Sequence, residues 1–162
     1  MSLFEDNRYR WRETYFVQFP AGNRPSLDKM CQVLSMVSER LELTGQTADA
    51  EGRFESVTVL AGDDFSALDI SYLGGQEVLS QGAETAEQFE LASCSKDEKK
   101  KLERLVQYDG RFDILHFEQV TDFEDEDEPE GMLDPSALLL VLDALAELTE
   151  GVAVDPQTGT IF

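Results

Sequence analysis

Apolar and polar residues alternate along several short stretches of the chain, and this period of two predicts strands. In residues 14–20, Tyr15, Val17 and Phe19 alternate with their neighbours, and a proline ends the run. Residues 111–120, RFDILHFEQV, combine large apolar residues with few breaks, and we predict a strand in the middle of a sheet. Further strands are predicted at residues 41–48, 54–62 and 67–73.

Between the strands, apolar residues recur at helical spacing, which predicts helices over about residues 26–40 and 76–91. Ser95 begins an S-x-x-E sequence, the spacing of a capping box, and marks the start of a third helix. Asp134 and Pro135 are typical of an N-cap and a first helical residue. The helix that they begin is apolar around more than one face, so we expect it to be largely buried against the sheet. The chain then ends in a short strand, a turn and a second short strand.

The order of these elements is β-α-β-β-β-α-α-β-α-β, with a split in the last strand, and it predicts an α+β fold. We expect one domain over residues 1–162, with a mixed, mainly antiparallel sheet and about four helices packed on it. The β-α-β segments at both ends permit a ferredoxin-like arrangement. Residues 1–13 are expected to form an N-terminal arm, and residues 122–131 an acidic flexible loop.

The charge of the chain is strongly negative and unevenly distributed. With 34 Asp and Glu against 13 Lys and Arg, the formal net charge is −21, and no Lys or Arg follows Arg111. A field of this sign repels the phosphates of nucleic acids and anionic lipids, and it attracts cations and basic protein surfaces. We therefore expect a basic protein surface as the partner class, with no direct nucleic-acid binding and no membrane partner. The alternative explanation is that the negative charge only keeps the protein soluble.

The cysteines and the N-terminus bear on the compartment. Cys31 and Cys94 lie far apart and lack CxxC spacing, so we expect idle thiols, with a disulfide or a catalytic thiol as the alternative. The first residues contain no apolar signal segment, and no apolar run reaches the length of about 18 residues that a membrane span needs. These features predict a cytoplasmic protein.

His116 is the only histidine, so any catalytic triad with a histidine base would have to use it. It lies within the apolar strand, on the same alternating face as Glu118. The sequence contains no GxSxG nucleophile motif. We expect a packed histidine bonded to a backbone group or to Glu118, and a catalytic or metal-binding histidine is the alternative.

A divalent-metal site is the second chemical hypothesis. Paired acids at the end of a strand suit metal binding or acid–base work, and Asp63 and Asp64 are such a pair. With His116 and Glu118 they form the candidate ligand set. The acidic run at residues 122–131 lacks the registration of an EF-hand loop, so it offers only a loose, weak Ca²⁺ or Mg²⁺ site.

Two segments are candidates for binding a protein partner. Basic and aromatic residues alternate near the N-terminus, a combination typical of interaction hot spots. The alternative is an arm that folds back against the acidic surface of the same protein. The second segment is the acidic run, which suits a basic partner. The candidate partner-binding residues are Arg8, Arg10, Trp11, Arg12, Glu124, Asp125, Glu126 and Asp127.

The last segment, from residue 133 to residue 162, combines an apolar helix with the hairpin sequence GVAVDPQTG. It resembles the C-terminal helix and hairpin of uncharacterised bacterial α+β proteins that share a G-V-x-V-D-x-x-x-G pattern. The resemblance implies one compact bacterial domain. It implies no activity, because the pattern contains no residue tied to a reaction.

The leading functional hypothesis is a non-catalytic protein-binding or regulatory domain that needs no cofactor. It depends on the missing catalytic motifs, the single histidine and the charge. The alternative is a carboxylate-based divalent-metal binder or metal-dependent hydrolase. A third hypothesis is a homo-oligomer that pairs through the edge of the C-terminal hairpin.

Overall fold

The structure is a computed structural model that describes residues 6–89, 94–119 and 135–162. Seven strands form one sheet among these residues, in the order β2-β3-β4-β5-β1-β6-β7. The strands are β1 (Tyr9–Phe19), β2 (Glu42–Ala48), β3 (Phe54–Ala61), β4 (Ser66–Gly74), β5 (Gly110–Gln119), β6 (Val152–Asp155) and β7 (Thr160–Ile161). The four helices of the described part are α1 (Leu27–Val37), α2 (Gln76–Glu87), α3 (Lys96–Leu105) and α4 (Ser136–Thr149).

The predicted α+β class is confirmed, and every neighbouring pair of strands is antiparallel rather than mixed. Because β5 and β6 both lie antiparallel to β1, they run parallel to each other, and β5, α4 and β6 form a split β-α-β unit. The first β-α-β segment, β1-α1-β2, does not form such a unit, because three other strands lie between β1 and β2 in the sheet. Of the two split β-α-β units that a ferredoxin-like arrangement requires, the sheet therefore contains only one.

The main core lies on the sheet face that α1 and α4 cover. Phe112 is at its centre, with the rings of Phe19 and Phe54 at 4.7 Å and 5.5 Å between centroids. Met30 and Leu34 of α1 are fully buried there. Strand alternation sends Phe16, Val152 and Val154 to the opposite face, where they pack with Leu102, Leu105 and Tyr108 from α3 and the loop after it.

Helix α4 is less buried than its sequence predicts. Leu138, Val141, Leu142 and Leu145 enter the core, as expected for a helix packed on the sheet. By contrast, Leu139 and Leu140 are 47% and 54% exposed. An apolar helix packed against one layer buries only the side that faces the layer, so its remaining leucines stay at the surface.

The N-terminal segment contributes more to the sheet than an arm would. Strand β1 begins at Tyr9, so residues 9–13 pair with β5. The register shifts between Trp11 and Glu13, which leaves Arg12 as the extra residue of a β-bulge. Among the described residues, no helix is long and apolar enough to cross a membrane.

Candidate functional site

The side chain of His116 on β5 forms hydrogen bonds with one residue of β4 and one residue of β1. The ring is 1% exposed, and its Nε2 lies 2.9 Å from the Oγ of Ser66 in a hydrogen bond. Its Nδ1 lies 3.1 Å from Oε1 of Glu13, which is directly opposite His116 on β1. The hydroxyl of Tyr15 donates to the same carboxylate oxygen at 3.0 Å. Burial first, and then the Glu13 carboxylate, raise the pKa of Tyr15 above its ordinary value of 10.0.

A serine on one imidazole nitrogen and a carboxylate on the other is also the arrangement of a catalytic triad. In this protein Ser66 is 1% exposed, so its hydroxyl is closed to a substrate in this structure. Both ring nitrogens have partners, as buried polar groups require. The prediction of a packed, hydrogen-bonded histidine agrees with this geometry, but Glu118 is not its partner. The partner is Glu13, because the bulge at Arg12 places Glu13 opposite His116.

The four candidate metal ligands have separate partners. Asp63 pairs with Arg40 at 3.2 Å, and both side chains are mostly exposed. Asp64 accepts a hydrogen bond from the backbone N–H of Ala137 at 3.1 Å. Glu118 pairs with two arginines, while His116 binds Ser66 and Glu13. Within residues 6–89, 94–119 and 135–162, no three His, Cys, Asp or Glu side chains are grouped to hold a metal ion.

The basic residues near the N-terminus contact acids of the same chain. Arg10 and Arg12 lie 3.0 Å and 3.3 Å from the same Glu118 oxygen. Arg8 pairs with Asp6 at 2.7 Å, and its hydrogen bonds lower the pKa of that carboxyl to about 2. This geometry supports the alternative in which the segment folds against its own acidic surface.

Trp11 shares the strand with these arginines but points to the other side of the sheet, level with Phe117 on β5. The indole is 40% exposed, and its Nε1–H donates to the Thr14 hydroxyl at 3.2 Å. Trp11 is therefore separated from the Arg10–Glu118 pair by the sheet itself.

Ion pairing within the chain extends well beyond the N-terminus. Arg24 stacks on the Tyr72 ring at 4.0 Å, and Arg111, which is 4% exposed, pairs with Asp113 at 2.6 Å. Seven arginines form ion pairs with acids of this chain, namely Arg8, Arg10, Arg12, Arg24, Arg40, Arg53 and Arg111. Because most of the few basic groups are satisfied internally, the excess acid remains available to an external cation or a basic surface.

The predicted acidic partner-binding residues Glu124, Asp125, Glu126 and Asp127 lie outside the described residues, as does the predicted N-cap Asp134. The described N-cap position of α4 is Pro135, which has no side chain to accept a hydrogen bond. Asp64, in the short 3₁₀ turn between β3 and β4, performs this task from another part of the chain.

A groove between α1 and α4 is open to solvent. Its wider part has a volume of about 470 Å³, and a narrower part of about 290 Å³ shares Val37 and Leu140 with it. Met36 is 79% exposed and Leu140 is 54% exposed at this surface. The side chains that line the wider part are those of Lys29, Val33, Met36, Val37, Leu140, Asp143, Ala144, Glu147 and Leu148. We call this surface the α1–α4 groove.

No protein-family model, curated protein or solved structure matches this chain. The buried Ser66–His116–Glu13 chain is closed to a substrate, whereas the α1–α4 groove exposes large apolar side chains. Exposed apolar surface with a polar rim is typical of sites that bind another protein. The α1–α4 groove is therefore the candidate functional site.

A second groove lies between α2 and α3, with a volume of about 600 Å³. Phe89, Leu102 and Val106 contribute to its apolar lining, and Glu87, Lys99 and Glu103 are its charged residues. The exposed side of α3 contains most of the lysines of the protein, at positions 96 and 99–101. Its surroundings are therefore more basic than those of the α1–α4 groove.

Sequence reasoning missed the groove, although the sequence contains a signal for it. Val33 and Met36 are apolar residues of α1 that lie off the helix face formed by Met30 and Leu34. Leu140 gives α4 a second apolar side in the same way. An apolar residue outside the core-facing stripe of a surface helix indicates either a second packing layer or a binding surface.

Proposed function

We propose that this protein is a non-catalytic domain that binds a basic protein partner. The observation that supports the proposal is the α1–α4 groove, an exposed apolar surface on a chain of net charge −21. The unbranched methionine side chain adapts to the shape of a partner and is common at protein-binding surfaces. The charge of the chain draws a basic partner toward the groove.

The placement of the chemical groups favours binding over catalysis. Asp64 caps a helix, Asp63 and Glu118 pair with arginines, and His116 is buried with two partners. A metal-dependent hydrolase or a metal binder built from these four residues would need them to turn toward one ion. Each would first have to leave the contact that it makes in this structure.

The acids that line the groove are the second observation that supports the proposal of a basic partner. Neither Asp143 nor Glu147, the two acids that line the wider groove, forms an ion pair with a described residue. Exposed acids of this kind contribute to the rate and the specificity of association more than to its affinity. A partner with Lys or Arg around an apolar centre would match both features of the groove.

The proposal is tested by affinity capture from an extract of the cells that produce the protein. Each captured protein is then made alone, and its binding is measured by calorimetry. We expect at least one basic protein to bind with defined stoichiometry. A set of captured proteins in which none is basic, or none binds once purified, would contradict the proposed function. A parallel capture with the Asp143→Asn/Glu147→Gln variant serves as the control, because it removes two charges of the groove by replacing two exposed side chains with amides of the same size.

A further inference from the structure

We infer that the α1–α4 groove holds the apolar face of an amphipathic, basic helix of the partner. This inference rests on the proposed function and names the element of the partner that the groove would bind. It follows from the spacing of the side chains, from the charge around them and from the length of the groove.

The side chains on both walls of the groove have helical spacing. On α1, Lys29, Val33 and Val37 follow one another at intervals of four residues. On α4, Leu140, Ala144 and Leu148 have the same interval. Rows of residues at this interval are the ridges that pack into the grooves of a neighbouring helix. Both walls are thus suited to a third helix laid between α1 and α4.

The length of the groove fits several turns of such a helix. Its two parts share Val37 and Leu140, and they extend from Lys29 at the start of α1 to Arg40 beyond its end. The 11 residues of α1 span about 16 Å, which is the length of about three helical turns. A bound helix would present apolar residues at i, i+3, i+4 and i+7, the pattern by which helices bind in apolar grooves.

The charged side chains that line the groove favour a basic helix as its occupant. In the wider part of the groove, Asp143 and Glu147 are exposed acids on α4 against one basic residue, Lys29, on α1. The α2–α3 groove is lined by two acids, Glu87 and Glu103, and one base, Lys99, but further lysines on α3 add positive charge around it. A basic helix is therefore favoured at the α1–α4 groove over the α2–α3 groove.

The same charge disfavours a second copy of this chain as the occupant. Two chains of net charge −21 repel each other, and the acids of α4 would face their own copies across a symmetric interface. A helix of another protein that is rich in Lys or Arg meets no such repulsion. Its basic residues would lie beside Asp143 and Glu147, while its apolar residues cover Met36 and Leu140.

The test uses two fluorescently labelled peptides of identical Leu and Lys composition. In the first, the leucines follow the i, i+3, i+4, i+7 pattern, and in the second they are shuffled around the helix. Fluorescence anisotropy gives the dissociation constant of each peptide for the full chain. The wild type is compared with Met36→Gln/Leu140→Gln, which keeps the charge and places a good helix former at two exposed positions. The matched control is Leu139→Gln, since Leu139 is 47% exposed on the same helix but does not line the groove.

The inference predicts that the wild type prefers the amphipathic peptide to the shuffled one. In Met36→Gln/Leu140→Gln, we expect the dissociation constant of the amphipathic peptide to rise about tenfold or more, since apolar anchors at the centre of an interface dominate binding. In Leu139→Gln, it should stay within about twofold of the wild type. Circular dichroism of each variant confirms that the helices are intact.

Three outcomes would overturn the inference. If both peptides bind equally and the groove variant changes neither, binding depends on charge alone, which leaves the proposed function standing without the groove. If neither peptide binds the wild type, the groove does not accept a basic helix, and the capture experiment decides separately whether a basic partner exists. If the wild type is a dimer that Met36→Gln/Leu140→Gln converts to a monomer, the occupant of the groove is a second copy.

Discussion

The carboxylate of Asp64 accepts a hydrogen bond at 3.1 Å from the backbone N–H of Ala137, which lies in the first turn of α4. The first N–H groups of a helix have no partner within the helix, and the N-cap Pro135 offers no side-chain acceptor. A negative charge at this end of a helix also interacts favourably with the helix dipole. Asp64 therefore holds one wall of the α1–α4 groove in place from the β3–β4 turn.

Replacement of this cap gives the first prediction. Asp64→Ala should lower the free energy of unfolding by about 1 kcal/mol, the usual effect of removing an N-cap acceptor. The matched control is Asp63→Ala, which removes only an exposed ion pair with Arg40 and should change stability by less than about 0.5 kcal/mol. Urea denaturation measures both. Equal effects of the two substitutions would show that Asp64 does not cap α4.

A second prediction concerns the buried contact between His116 and Ser66. His116→Leu removes the partner of a serine that is 1% exposed, so the variant should lose about 1–3 kcal/mol of stability for the unsatisfied hydroxyl in addition to the change in packing. The double variant His116→Leu/Ser66→Ala should recover about 1 kcal/mol or more, because it removes both polar groups. A double-mutant cycle of unfolding free energies gives this coupling. Additive effects would contradict the hydrogen bond.

The third prediction separates a structural role of this network from a catalytic one. A fluorophosphonate labels serines whose hydroxyl is both activated and accessible, by forming a bond from the serine oxygen to phosphorus with loss of fluoride. The Ser66 hydroxyl is hydrogen-bonded to His116 as in an activated serine, but it is closed to solvent. We therefore expect no label at this residue in the folded protein. Mass spectrometry of the intact chain detects the adduct, and an active serine hydrolase serves as the positive control. Labelling of Ser66 that disappears in His116→Leu would contradict the non-catalytic account.

Periodicity alone predicts most of the elements of this fold. The alternation in residues 14–20 and the capping box at Ser95 correspond to β1 and to the start of α3. The strand order could not be predicted, because pairing depends on contacts between residues far apart in sequence. The N-terminal start of β1 was missed for a related reason. Basic and aromatic residues alternate in the segment before the bulge at Arg12, but alternation alone does not show whether such a segment forms an arm or continues the pairing with β5.

Prediction of the candidate sites was limited by the same physical cause. The sequence indicates that His116 is packed, but its partners lie 103 and 50 residues away and meet it only through the sheet register. Asp63 and Asp64 suggest a metal pair, whereas neighbouring side chains in a tight turn point in different directions, one to Arg40 and the other to α4. The exposure of Leu140 depends on which side of α4 meets the sheet, and the uniformly apolar sequence of this helix leaves that undetermined.

The fourth prediction concerns two aspartates whose pKa values shift in opposite directions. Burial raises the pKa of Asp113 above its ordinary 3.8, although Arg111 acts against this. At Asp49, the hydrogen bond from the backbone N–H of Arg53 is the main cause that lowers the pKa. NMR of the carboxyl carbons should therefore show Asp113 titrating at a higher pH than Asp49. Coincident or reversed titrations would contradict the structure.

The sign of each effect on stability follows from these directions. The folded protein holds the proton of Asp113 more tightly than the unfolded chain does, so the contribution of Asp113 to stability is greatest below pH 3.8 and decreases as the pH rises through the folded pKa. For Asp49 the contribution is present above pH 3.8 and is lost as the pH falls through the folded pKa. A fit of the unfolding free energy against pH should show a component of each sign.

The central claim is that this acidic domain binds a basic protein partner through an apolar groove with an acidic rim. The most direct test is the dissociation constant of the purified partner, measured by calorimetry between about 0.1 M and about 1 M salt, over which the Debye length falls from about 10 Å to about 3 Å. The account predicts that the dissociation constant rises with salt, and that Asp143→Asn/Glu147→Gln makes this rise less steep. A dissociation constant that is independent of salt, and unchanged in that variant, would contradict it.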